Sequence, residues 1–217
     1  MVQVKKESVR NAILDSARDL FSERGYHGTT LLDIAQLAGT GVSSLYSYYP
    51  SKLHLLYAVV EPWQKECYHR LEAQVRSIEE PREKLRAILL GIWRDMPNEN
   101  VGLANALIEA LASADLSENK PLLLLPWIEQ RLTRMLSGAL QQTPIAERLL
   151  ANLIIMAQDG YIIHRRLGDL SDTDVNRLVD GICDILMTAP NAAAPQKRSR
   201  TTKKADRAPQ ARRKRAV

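Results

Sequence analysis

From Val9 to Leu186 apolar residues return every three or four positions, and no stretch alternates in the two-residue rhythm of a strand. A chain patterned this way buries its apolar surface by laying one helix stripe against another, so the expected fold is all-α. Caps and breakers divide it into about nine helices. Residues 7–24 put Val9, Ile13, Ala17, Leu20 and Phe21 on one face, and Gly25 ends that helix. Thr29 and Thr30 are N-cap candidates for a short helix from Leu31 to Leu37, with Asp33 placed three after Thr30. Ala38-Gly39-Thr40-Gly41 forms a tight connection to a second short helix, Val42 to Tyr48, which Pro50 terminates.

Ser51 caps a fourth helix that carries Leu56, Val60, Trp63, Cys67 and Leu71, is interrupted by Pro62 and ends near Ser77. Pro81 opens a fifth, closed by Pro97 and Asn98. A sixth runs from about Val101 to Ala114 and a seventh from near Pro121 to Gln141. Across 145–167 one stripe holds Leu149, Leu150, Leu153, Ile154, Ala157, Tyr161 and His164. Ser171 with Asp174 makes a capping box ahead of a last helix bearing Val175, Leu178, Val179, Ile182, Ile185 and Leu186. Two such apolar helices serve either the subunit's own core or a contact between subunits, and periodicity alone does not separate the two.

The formal net charge of +5 is unevenly spread. Residues 1–60 hold six basic and five acidic side chains, and 61–188 hold fourteen and nineteen. From Ala189 onward ten Lys/Arg face one acid, Asp206, a net +9. The helical part is therefore mildly acidic, and total charge does not identify a nucleic-acid surface within it. Residues 190–217, rich in Ala, Pro, Lys and Arg, are expected to be a disordered basic tail, either phosphate-seeking or merely solubilising.

No segment reaches the roughly 20 apolar residues of a membrane span, and Met1 to Arg10 lacks a signal-peptide core, so a cytoplasmic, nucleoid-associated protein without membrane contact is expected. Cys67 and Cys183 fit neither metal nor redox spacing and read as buried small hydrophobes. His27, His54, His69 and His164 are scattered, with no nucleophile, acid–base or metal constellation, so neither an enzyme, nor a cofactor, nor a metal site is expected.

A helix-turn-helix needs a supporting helix, a glycine-bearing turn and a recognition helix whose start enters the major groove. Leu31–Leu37, Gly39 and Val42–Tyr48 supply these in order, with Leu45 as the anchor to the small core. Small residues at Gly41, Ser43 and Ser44 let the backbone approach DNA, and the two hydroxyls offer donors. Lys52, in the first turn of the fourth helix, and Thr30, at the start of the second, suit flanking phosphates.

The run Arg10, Ile13-Leu14, Ala17, Leu20-Phe21, Gly25-Tyr26, Thr29-Thr30, Asp33-Ile34-Ala35, Ala38-Gly39, Leu45-Tyr46, Tyr48-Tyr49-Pro50-Ser51-Lys52 and Leu55-Leu56 closely resembles the N-terminal domain of the TetR family of repressors. The resemblance implies that Tyr46 and Tyr48 meet phosphates or bases and that Tyr49 packs. Thr40-Gly41-Val42, Ser43 and Ser47 depart from the family's usual residues. Direct readout is therefore expected from Val42, Ser43, Ser44, Ser47 and Tyr48, with Val42 suited to a thymine methyl. Thr29 completes the expected DNA-facing set.

The same resemblance implies a DNA-binding domain over 1–50 and an effector-binding and dimerisation domain over 51–188, and composition sets off the tail over 189–217. Its cavity would lie among the fourth to seventh helices and suit an apolar or aromatic effector. Candidates are Trp63, Cys67, Trp93 and Met96, with Leu107, Leu111, Leu124, Trp127 and Ile128. The last two helices would pair the subunits through Leu153, Ala157, Gly160, Tyr161 and His164 and through Leu178, Ile182 and Ile185. Gly160, in Asp159-Gly160, would permit a close helix crossing. The expected function is a ligand-responsive repressor that binds palindromic double-stranded DNA as a homodimer. The rival is an architectural DNA binder dominated by its tail.

Overall fold

The computed structural model describes residues 2–113, 124–140 and 147–188, and every regular element within them is a helix. The ends expected at Ala114, Pro121, Gln141 and Ile145, and the tail from Ala189, lie outside the described residues. α1 (Val2–Arg24), α2 (Leu31–Leu37) and α3 (Val42–Tyr48) precede the long α4 (Lys52–Arg76). Ile13, Ala17, Leu20 and Phe21 of α1 are buried together with Ile34 and Ala35 of α2 and Leu45 of α3. Gly25 ends α1 with φ +72°, a left-handed backbone that suits glycine. Thr30 and Asp33 close a reciprocal capping box on α2, which secures about 1 kcal/mol of helix stability.

Pro62 does not end α4, which runs through it with the ring on the exposed side, where a lost backbone bond is least costly. α5 (Pro81–Leu90) likewise is not closed by Pro97. A π-turn over Gly91–Asp95 carries the chain into α6 (Met96–Glu99), and Met96 N–H donates five residues back to Gly91 O. That longer register brings Pro97 into the first turn of α6, where its missing N–H costs nothing. Counted as one bent helix, Pro81–Glu99 leaves nine helices among the described residues.

α7 (Val101–Ser113), α8 (Leu124–Ser137), α9 (Glu147–Leu167) and α10 (Asp172–Thr188) complete the bundle. The π-turn braces both final helices. Trp93 Nε1 donates to Ile154 O of α9 at 2.9 Å, and Arg94 donates to Asn176 Oδ1 of α10 at 3.2 Å. Arg82–Asp184 and Arg86–Asp180, at 2.6 and 2.8 Å, then lace α10 along α5. Ser171 and Asp174 make the expected capping box.

Candidate nucleic-acid interface and ligand cavity

α3 divides cleanly between core and surface. Leu45 is fully buried, while Ser43, Tyr46 and Ser47, spaced three and four apart, share an exposed face with Gly41 beside it. Val42 and Ser44 are half-buried flanks. Ser47 Oγ donates to Ser44 O at 2.6 Å, leaving its oxygen free to accept.

Four residues of the expected DNA-facing set make hydrogen bonds within the domain. Thr29 is fully buried, and its hydroxyl reaches Gly25 O and Leu20 O at 2.8 and 3.0 Å. It ties the turn back onto the last turn of α1. Both donors of Thr30 go to the Asp33 carboxylate. Tyr48 Oη donates across to Lys6 O at 3.2 Å, fastening α3 to the start of α1. The Lys52 ammonium donates to Tyr26 O and Thr29 O at 2.8 and 3.0 Å and lies 4.2 Å from the Tyr26 ring centroid.

The α1–α2 turn thus held by Lys52 is held again by α7. Glu109 of α7 accepts from Tyr26 N–H at 2.9 Å and His27 N–H at 3.3 Å, and Arg166 of α9 donates to its other oxygen at 2.7 Å. Burial works to raise the Glu109 pKa, but the bonds from Arg166, His27 and Tyr26 outweigh it and hold the carboxyl below its ordinary value. Glu109 was not among the residues expected from sequence. The available signal was its solitude, as the one charged residue in the otherwise apolar or small run from Val101 to Ser113.

The larger unit contains a cleft of about 370 Å³ between α4, α7, α8 and α9. Four of the candidates, Leu107, Leu111, Leu124 and Ile128, line it with Ile155 and Met156. The other five candidates do not line it. Trp93 and Met96 are core residues, the first turned to Ile154 O and the second accepting from Gln158 Nε2. Cys67 is buried with its thiol toward Glu99, and burial first, then that carboxylate, pushes its pKa up to about 12. Trp127 faces Tyr68, His69 and Arg131, and Trp63 is half-buried against the core. Periodicity places all five on apolar faces, but packing turns these particular faces toward neighbouring helices.

Sequence reasoning also missed the polar lining. Tyr57, Gln64, Asn152, Gln158 and Asp159 border the cleft. Burial pushes the Asp159 carboxyl up to about 6.

α9 and α10 each turn part of their apolar stripe outward. Leu153, Ala157 and His164 are exposed on α9, as are Leu178 and Ile185 on α10, while Gly160 and Ile182 are half-buried. Tyr161 is a correction: it is buried and its hydroxyl meets Arg165 at 2.9 Å, because it falls on the side of α9 facing the bundle with Leu150 and Ile154. Among the described residues no helix is long and apolar enough to cross a membrane, and no cluster of three metal-ligating side chains occurs.

A supporting helix, a left-handed glycine at Gly39 and an outward-facing second helix define a helix-turn-helix module on an all-helical bundle. Residues 13–59 match the family model described as bacterial regulatory proteins, tetR family, and form a helix-turn-helix domain of that family. The regulator RutR of Escherichia coli K12 is 49% identical over 51 residues, which is 24% of each chain. The repressor KstR of Rhodococcus jostii RHA1 is 33% identical over 110 residues, half of each chain. The chain thus matches at most half the length of these two curated relatives. The crystal structure of FadR from Bacillus subtilis with stearoyl-CoA superposes with a TM-score of 0.64 at 19% identity, over 82% of this chain and 98% of that one, a likeness of fold.

Proposed function

We propose that this chain is a ligand-responsive transcriptional repressor that binds a palindromic operator as a homodimer. The observation that carries the reading is the α3 face of Ser43, Tyr46 and Ser47, exposed beside Gly41 in a tetR-family domain where Thr29 and Tyr48 bond within the domain. That face has hydroxyls for phosphates and base edges, and the half-buried methyls of Val42 lie at its edge. The names of the relatives, a regulator and a repressor, point the same way.

The route for ligand response runs through the α1–α2 turn. α4 carries both Tyr57 and Gln64 of the cleft and Lys52 beneath the turn. α7 carries Leu107 and Leu111 of the cleft and, between them, Glu109 above it. A ligand that spreads α4 from α7 shifts both grips together and re-aims α3. In a dimer it thereby changes the separation of two recognition helices, which must match half-sites about 34 Å apart. The outward stripe of α9 and α10 supplies the dimer contact.

Selection of bound duplexes from random DNA tests this, run with the full chain and with residues 190–217 deleted. The expected result is one inverted repeat recovered by both. Tyr46→Ala should weaken binding to it by about tenfold or more. Recovery without a shared motif, or loss of nearly all binding with the tail, would replace the repressor by the architectural binder.

A further inference from the structure

The cleft is polar in a specific way. Asp159 lines it with no hydrogen bond or ion pair to any described residue. Gln64, only 8% exposed, points no donor or acceptor at a described partner either. The Tyr68 hydroxyl is fully buried and has no hydrogen-bond partner among the described residues. Its pKa and that of Tyr57 are raised, chiefly by burial and then by the Asp159 charge, so both phenols lie within the field of this carboxylate. No Lys, Arg or His is among the described lining residues. Opposite, on α7 and α8, stand Leu107, Leu111, Leu124 and Ile128.

Buried polar groups left without partners are costly, and a carboxylate is costlier than an amide. They persist where something else completes them. An anionic head would meet Asp159 with no described cation to offset the repulsion, whereas a protonated amine gives the carboxylate a charge-assisted partner. Building on the regulator reading above, we propose that the effector is a lipophilic amine, its cationic head on Asp159 with Gln64 and Tyr57 beside it and its apolar body along α7 and α8. The ligand class differs from the acyl-CoA in the similarly folded FadR structure.

Calorimetric titration of the full chain at neutral pH with n-decylamine, 1-decanol and decanoate, three probes with one tail and different heads, tests the assignment. Decylamine should bind once per chain and about tenfold or more tighter than decanol, with decanoate weakest. Asp159→Asn should bring the amine-to-alcohol ratio near one while decanol affinity is kept, and Glu66→Gln, on the exposed side of α4, should leave the ratio unchanged. Decanoate binding as tightly as decylamine, no probe binding, several amines adsorbing per chain, or an Asp159→Asn ratio equal to the parent's would each overturn the proposal. The comparison among probes uses the unaltered protein and so stands even if a variant misfolds. Duplex selection on the same preparation separates the two readings: amine preference without operator binding sinks the regulator, and operator binding without amine preference sinks only the ligand class.

Discussion

A Cβ added at Gly102 would sit 1.8 Å from the Ser22 carbonyl oxygen, so α7 can start against α1 only because this position carries no side chain. Asn100 Nδ2 donates to Ser22 Oγ at the same crossing, 3.1 Å away. Gly102→Ala should therefore cost about 1–3 kcal/mol, seen as a lower thermal midpoint, since the added Cβ meets main-chain atoms of α1 and no flexible side-chain end. An unchanged midpoint would mean that α1 and α7 do not meet this closely.

Asp159 makes a prediction of opposite sign. Its folded pKa of about 6 lies above the ordinary 3.8, so the native state holds the proton more tightly than the unfolded chain. Stability from this group is complete below the lower value and is lost as pH rises toward the higher one. With discount for partial exposure, Asp159→Asn should stabilise the ligand-free protein by roughly 1–2 kcal/mol above that window and by little below it. Denaturant unfolding at both ends of the range measures the difference, and equal effects at both would place the carboxyl in water.

Helices α4 and α7 matter as a pair because each grips one turn and lines one cleft. Glu109→Leu would leave the Tyr26 and His27 N–H groups without their carboxylate and Arg166 without its partner, a loss of about 1–3 kcal/mol at that turn. Hydrogen exchange at residues 25–30 should quicken accordingly while α8 keeps its protection. Unaltered exchange in the turn would rule Glu109 out as its anchor. Because the Glu109 pKa is depressed in the fold, its contribution is present above the ordinary carboxyl range and fades on acidification. The α1–α2 turn should thus loosen in acid before the long helices do.

As a whole, the bundle buries one side of α9 and leaves apolar side chains uncovered on the other: Leu153 is 50% exposed and, on α10, Ile185 71%. Gly160, with open space around its missing Cβ, sits in the same stripe. Such a surface is the kind subunits bury in stable dimers. Ile185→Glu or Gly160→Leu should shift the protein toward monomers in sedimentation and weaken operator binding with it. A fully dimeric pair of variants would move the interface elsewhere.

The helix-turn-helix was legible because its signals are local. The Thr30–Asp33 box, the glycine at 39 and the single inward Leu45 each act within about one helical turn of their own position, where helix geometry alone dictates the outcome. The apolar half of the cleft was partly legible for the same reason, in Leu107, Leu111, Leu124 and Ile128. Which hydroxyls stay free, and which tryptophans reach the cleft, depended on partners far along the chain. Tyr48 is claimed by Lys6, Lys52 by the Tyr26 turn and Trp93 by Ile154. Asp159 read as the neighbour of a crossing glycine, yet the rotation of α9 aims it at the cleft while Gly160 keeps open space. Periodicity specifies that a helix has an apolar side. Whether that side meets the core, a ligand or a second subunit is settled by how the other helices pack around it, and that packing is a long-range property no short window of residues contains.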